Sequence, residues 1–258
     1  MSDVADWWQT SIIEMEPGRI SIRGNEIQDL IGELSFPEMI WLMIAGTKPK
    51  EGQARLLEAA LVASVDHGPQ APSIAAARMA VTCGLSLNGA MGTAIHMLDD
   101  VHGGAGEQLV EWPYEISNEG KQDDLKEEIM TYQVRVNKFI PGFGHRFHKP
   151  IDPRAPRLMS LVKSAKDKGL VSGKFMGLAL SIECHLAEIK GKPVPMNIDG
   201  ATAVIFAELG FAPALARGLF CLSRSVGAMA HAHEQMQLGG RNKGPTPPYY
   251  RWRYTGNI

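Results

Sequence analysis

Between Ile27 and Met236 the apolar residues of this chain recur at helical spacing, segment after segment, with glycine, proline and polar clusters in between. That pattern leaves little room for a sheet. Ile27, Leu30, Ile31 and Leu34 mark a first helical segment. Ser35-Phe-Pro-Glu38 then reads as a capping box with proline near the helix start, leading through Met39, Ile40, Met43 and Ile44 to Gly46. Leu56, Leu57, Ala60 and Leu61 place a helix over 51–65 that stops at Asp66-His-Gly-Pro69. Segments 73–83 and 88–98, rich in alanine and glycine, read as close-packed, buried helices. Further helices are predicted over 125–138, from Pro153 (with Asp152 as N-cap) to about 168, over 175–190, over 201–209 and over 213–236. Only residues 19–23 alternate like a strand. The expected fold is all-α with many packed helices and a minor β-arm.

Composition narrows the function classes. A chain of 258 residues is long enough for one large domain or two smaller ones, and its formal net charge of -2 gives no bulk attraction to nucleic acid or to an anionic membrane. No apolar run reaches the roughly 18 residues of a membrane span, and the N-terminus lacks a basic and apolar leader, so a cytoplasmic location is expected. Cys83, Cys184 and Cys221 are far apart and show no metal-knuckle spacing; they are expected to be buried free thiols.

The chemistry concentrates in Pro141-Gly-Phe-Gly-His-Arg-Phe-His-Lys-Pro-Ile-Asp-Pro-Arg-Ala-Pro-Arg157, a segment with four prolines, two glycines, two histidines and three arginines. So little apolar content suits a ligand-contacting loop, or equally a surface loop running into a capped helix. Gly142 to Gly144 is no dinucleotide fingerprint, since residue 147 is Phe and no βαβ unit surrounds it, and a phosphate-binding P-loop motif is absent. His145-x-x-His148 and His231-x-His233 lack the carboxylate pattern of zinc hydrolases, so no metal is expected. His96 and His185 lie on helices and read as structural. His67, His102 in a glycine-rich turn, His145, Asp199 at a helix start and Arg224 each fall at a helix break or in a helix with little other charge. That repetition points to one site.

In chain order these residues resemble the citrate synthase superfamily. The match runs from Ile22-Arg-Gly-Asn-Glu-Ile-Gln-Asp-Leu and Ser35-Phe-Pro-Glu-Met through Asp66-His67, His102-Gly-Gly, Gly142-Phe-Gly-His145 with Asp152-Pro-Arg154, and Asn197-Ile-Asp199 to Ser223-Arg224. The resemblance implies a citrate-synthase-like multi-helix fold with a large lobe (1–102 and 200–258) and a small lobe (103–199), closing on a site between them. It implies that Asp199 removes or returns the α-proton of acetyl-CoA and that His102 hydrogen-bonds the thioester oxygen of the enolate. His145 would hydrogen-bond the keto oxygen of oxaloacetate, and His67, Arg154 and Arg224 would hold carboxylates. Arg241 would add a carboxylate contact across a dimer interface, and Arg146 and Lys149 are the candidates to meet coenzyme A. No permanently bound cofactor is implied; the coenzyme A thioester is a substrate.

In length, in Asp66-His-Gly-Pro69 and in Asp199-Gly200 the chain is similar to citryl-CoA lyase and to the C-terminal module of ATP-citrate lyase. Val101-His-Gly-Gly104 is instead synthase-like. The expectation is reversible carbon–carbon cleavage of citryl-CoA, or of a close 3-hydroxy-3-carboxyacyl-CoA, to acetyl-CoA and a 2-oxo acid. The alternatives are a synthase that condenses and hydrolyses, and a non-catalytic coenzyme A-binding protein. A homodimer or higher homo-oligomer is expected from the small-residue segment 75–94 and the Tyr/Arg-rich tail.

Overall fold

The computed structural model describes residues 7–118, 125–145 and 147–256. The sequence reads 118–124 as a polar, exposed connection; its residues 119–124 and the candidate Arg146 lie outside the described residues. The β-arm is a small antiparallel sheet of β1 (Ile13–Glu16), β2 (Arg19–Ile22) and β3 (Asn25–Glu26) in that order, with Ile13 opposite Ile22 and Ser21 opposite Glu26. Arg23, just past β2, donates to the Met43 carbonyl at 2.8 and 3.2 Å. That carbonyl lies in the last turn of α1 (Phe36–Ala45), where unpaired carbonyls favour a cation, so the arm is fastened to the helical body.

The capping box forms as expected: the Glu38 carboxylate accepts from the Ser35 amide at 2.8 Å and from its hydroxyl at 2.6 Å. The helix expected over 27–34 does not form. A single 3-10 turn, Ile27–Asp29, is followed by turns up to Ser35. Leu30 packs with Ile22 and Leu42 in a small separate cluster while Ile31 is 71% exposed, so helix-like spacing here reflects a folded turn rather than a helical face.

Beyond α1 come α2 (Gln53–Ser64), α3 (Pro72–Thr82), α4 (Leu87–His96), α5 (Ala105–Asn118) and α6 (Leu125–Arg135). After the histidine-bearing loop follow α7 (Arg154–Asp167), α8 (Lys174–Lys190), α9 (Ile198–Glu208) and α10 (Pro213–Leu238). The sequence gives no warning of α5, because Gly106 and Pro113 fall inside it. Its buried Leu109, Trp112 and Ile116 nevertheless sit at helical spacing, and packing on α9 overrides the breakers.

Helix α9 is the centre. Ile198 and every residue from Gly200 to Ala207 are buried, and α2, α5, α7, α8 and α10 pack around it. A helix apolar on all faces belongs in the middle of a core. Burying side chains such as Val204, Ile205 and Phe206 stabilises the fold by about 1.5–3 kcal/mol each. A second cluster joins α3, α4 and α10 through Ala71, Ile74, Ala77, Ala80, Ala90, Ala94, Ala228 and Ala232. The alanine faces thus meet inside the protomer. The tail from Gly239 is exposed throughout and is tied back where the Asn242 amide donates to the Thr82 carbonyl at 2.8 Å.

Cys83 and Cys184 are exposed and Cys221 is half-buried, which corrects the expectation of buried thiols. They sit on or beside the outer faces of α3, α8 and α10, where helical position outweighs the residue's usual preference for the interior. Among the described residues no helix is long and apolar enough to cross a membrane.

Candidate active site

The first residues of α9 carry Asp199, and the local sequence explains how. Asn197 caps the helix, its side-chain oxygen accepting from the Gly200 amide at 3.1 Å. Its amide nitrogen reaches the Gly144 carbonyl at 2.9 Å, its backbone N–H donates to the Gly142 carbonyl, and Gly144 N–H donates to the Pro195 carbonyl at 2.7 Å. The histidine loop is thereby laced to the start of α9. Gly142 has φ +81°, and a side chain there would strike Gly200; one at Gly200 would strike the Gly142 carbonyl. The approach needs glycine on both sides.

A cavity of about 110 Å³ opens here, lined by His67, His102, His145, Asn197, Asp199 and Arg224, with Gly103, Ile198 and Phe220. At roughly 30 Å³ per water this is room for about four waters, or for a small acid. Five candidates that the sequence scatters over more than 150 positions share it. Arg154 does not line the cavity, although its charge acts on His67, His145 and Asp199. Lys149 is exposed and away from the lining, as is Arg241 on the tail. Among the described residues no group of three or more histidine, cysteine and carboxylate side chains converges as metal ligands.

The ring nitrogens have assignable roles. His102 Nε2 accepts from the Ser73 backbone N–H at 3.3 Å and lies 3.0 Å from the Ser73 hydroxyl. A nitrogen that accepts carries no proton, so Nδ1–H is the donor left free. His145 is the converse: Nδ1 accepts from the amides of Phe147 and His148, each at 3.0 Å, which leaves Nε2–H free. Burial and then the Arg224 charge hold His102 below the usual imidazole range, and burial with the neighbouring His148 does the same for His145. Both rings stand neutral, each with one N–H to offer.

His67 packs against His145 with ring centroids 5.2 Å apart. Burial, then Arg154, Arg224, His145 and His148, lowers its pKa to about 4. Asp199 moves the other way. Its carboxyl opens onto the cavity but lies deep, and burial raises its pKa although Arg224 and Arg154 pull it down. The fold itself thus supplies a desolvation that favours the protonated carboxyl and makes the carboxylate a stronger base.

The two arginines differ. Arg154 is gripped by the fully buried Asp152, Nε to Oδ1 at 3.0 Å and Nη2 to Oδ2 at 2.8 Å. Asp152 Oδ1 also accepts from the Arg154 amide, although α7 starts at Arg154 and its N-cap is Pro153 rather than the expected Asp152. Arg224 is 3% exposed, donates Nε to the Ser64 carbonyl at 3.1 Å and lies over the Phe220 ring at 4.9 Å. No carboxylate among the described residues lies within ion-pair distance of it. A buried cation beside a cavity, near Asp199 but in direct contact with no carboxylate, has room for a ligand's anion. Ser73 and Phe220 were not singled out in sequence, and Asp152 was read as an N-cap rather than as the partner of Arg154; Ser73 acts partly through its backbone, which leaves no signature.

The pattern of the family described as citrate synthase, C-terminal domain, matches residues 43–251. The chain belongs to the citrate synthase family. This family member is similar to the structure of citryl-CoA lyase from Hydrogenobacter thermophilus, with 31% identity, a TM-score of 0.84, and coverage of 97% of this chain and 95% of that one. It is 27% identical to the citrate synthase of Acidithiobacillus ferridurans over 221 residues, 83% of this chain and 55% of that protein. ATP citrate lyase from Methanothrix soehngenii, 20% identical with a TM-score of 0.83 over 96% of this chain and 42% of that one, shares the fold. The chain spans little more than half the length of the curated citrate synthases it matches first, from 53% to 57% of each. The all-α, multi-helix reading and the resemblance stated for it both hold.

Proposed function

We propose that this protein cleaves citryl-CoA, or a close 3-hydroxy-3-carboxyacyl-CoA, reversibly to acetyl-CoA and oxaloacetate or a related 2-oxo acid. The observation that carries the reading is the cavity itself: a deep carboxylate, Asp199, faces two neutral histidines with free N–H groups and an unpaired arginine. In the joining direction Asp199 takes the methyl proton of acetyl-CoA while His102 Nδ1–H stabilises the charge growing on the thioester oxygen. The new carbon nucleophile attacks the keto carbon, whose oxygen His145 Nε2–H hydrogen-bonds, and Arg224 and His67 hold the acid's carboxylates, with the charge of Arg154 acting from outside the lining. The alkoxide so formed takes up a proton from solvent, and Asp199 gives its own up. Cleavage is the reverse: the carbinol hydroxyl loses its proton to solvent as its carbon–carbon bond breaks, the electron pair of that bond passes to the enolate, and Asp199, protonated from solvent, delivers a proton to carbon. A raised carboxyl pKa serves both directions.

The near-complete mutual coverage with citryl-CoA lyase supports cleavage without thioester hydrolysis. The synthase reading is favoured by His102 in Val101-His-Gly-Gly104 and by the identity to citrate synthases. Arg146 and Lys149 toward coenzyme A, Arg241 in trans, the lobe division at 102 and 200 and a homodimer belong to the same proposal. The exposed Leu222, Val226 and Met229 on α10 support a dimer, which light scattering reads. The reaction is decided by mixing enzyme with acetyl-CoA and oxaloacetate while following free thiol, and separately supplying citryl-CoA while following oxaloacetate. Oxaloacetate without free coenzyme A is the expected result; rapid thiol release in the first mixture would assign the synthase reaction instead.

A further inference from the structure

Two histidines of α10, His231 and His233, take no part in the chemistry above, and the structure separates them. His233 is exposed, whereas His231 is partly buried and held at both ring nitrogens. His231 Nδ1 lies 3.1 Å from Arg78 Nη1 and Nε2 lies 3.2 Å from Asp66 Oδ2. A guanidinium only donates, so Nδ1 accepts, the ring proton is on Nε2, and Nε2–H donates to Asp66. Arg78, from α3, is fixed by an ion pair with Glu234 on the next turn of α10.

Asp66 is the residue before His67. Its Oδ2 also accepts from the Gly68 amide at 3.1 Å, so one oxygen ties the residues on either side of His67 to the turn. Its other oxygen, Oδ1, is buried with no hydrogen-bond partner, which leaves the Oδ2 contacts to set the carboxylate's direction. Burial alone would raise this carboxyl; the His231 ring and the Gly68 and His67 amides hold it low, as an acceptor. Among the described residues no hydrogen bond reaches the His67 ring, so its place in the cavity depends on this backbone tether and on packing against His145.

We propose that His231 is a positioning residue for His67: the Glu234–Arg78–His231–Asp66 chain sets the turn from which His67 enters the cavity. The kinetic consequence rests on the proposed function; the geometric one does not. With the turn after α2, helix α3 and helix α10 each contributing a link, loss of the imidazole frees the Asp66 carboxylate to rotate. A ring displaced by about 1 Å at a positioning site costs up to roughly 100-fold in rate.

The test compares His231→Ala with His231→Gln in the full chain, since a glutamine amide still donates to Asp66 and accepts from Arg78. The His67 ring signal in the nuclear magnetic resonance spectrum, assigned by its loss in His67→Gln, is expected to move in His231→Ala and to stay in place in His231→Gln. The KM for oxaloacetate is expected to rise about tenfold in the alanine variant, with the KM for acetyl-CoA within about twofold, and to recover in the glutamine variant. A His67 signal that stays in place in His231→Ala, or moves equally in both variants, overturns the proposal. If the alanine variant does not fold, the glutamine variant decides, a displaced signal overturning it and a native one supporting it. The signal needs no turnover, so a protein inactive on every substrate supplied would sink the proposed function while leaving this test intact.

Discussion

The Gly142 carbonyl accepts a hydrogen bond from the Asn197 amide at 2.9 Å, and through it the loop of His145 and the helix of Asp199 share one rigid backbone. The oxygen-side donor and the carbon-side base of the proposed reaction are therefore not placed independently. A shift of either carries the other along.

Because a methyl group at Gly200 meets the Gly142 carbonyl, Gly200→Ala is expected to cost about 1–3 kcal/mol of stability, the usual range for overpacking. Gly142→Ala adds the strain of its positive φ, about 1 kcal/mol more. Urea unfolding with an unchanged slope and a lowered midpoint is the expected record; midpoints equal to the parent's would show that the loop and the helix do not touch this closely.

Asp199→Asn keeps the volume and removes the base. Turnover should fall about 10³-fold, within the span of general-base contributions, with no loss of thermal stability, since burial already penalises the charged carboxylate. Oxaloacetate release from citryl-CoA and deuterium exchange into the acetyl-CoA methyl group should fail together. Exchange that survives at parental rate assigns the base elsewhere.

Ser73→Ala retains the backbone N–H to His102 and removes only the hydroxyl. A net hydrogen bond of about 1 kcal/mol predicts a fall in kcat of roughly fivefold to tenfold with little change in KM. Steady-state kinetics with both substrates varied tests this, and a change confined to KM would place Ser73 in binding rather than in orienting the ring.

His67 titrates at about 4 in the folded protein, against about 6.5 in the unfolded chain. Between these values the unfolded chain binds the extra proton, so the contribution of the neutral ring is complete above about pH 6.5 and is lost as the pH falls toward about 4. His102 and His145 shift in the same direction. The urea midpoint of the parent should drop between pH 7 and pH 4.5 by more than that of His67→Gln. Added oxaloacetate, whose carboxylates offset the arginines, should move the His67 titration to higher pH.

Legibility in the sequence follows the range of the interaction. The Ser35–Glu38 capping box is local, and it forms as read. His67, His102, His145, Asp199 and Arg224 each announced themselves by an unusual setting, and all five reach one cavity. What could not be read depends on partners distant in the chain: Ser73 meets His102 across 29 positions, and α5 forms despite Pro113 because α9 lies beneath it. The turn at 27–34 mimics a helix because its apolar residues pack on the sheet, which spacing alone does not distinguish.

Asp199 stands in the first turn of the most deeply buried helix among the described residues, held there by the Asn197 cap and by buried residues from Gly200 to Ala207, so displacing it disturbs the core. Amide protons in the middle of α9 should be among the slowest to exchange with solvent. On heating, catalysis should persist nearly unchanged until the whole molecule melts and then vanish over the same few degrees. For this chain, remaining activity after a heat pulse counts surviving molecules.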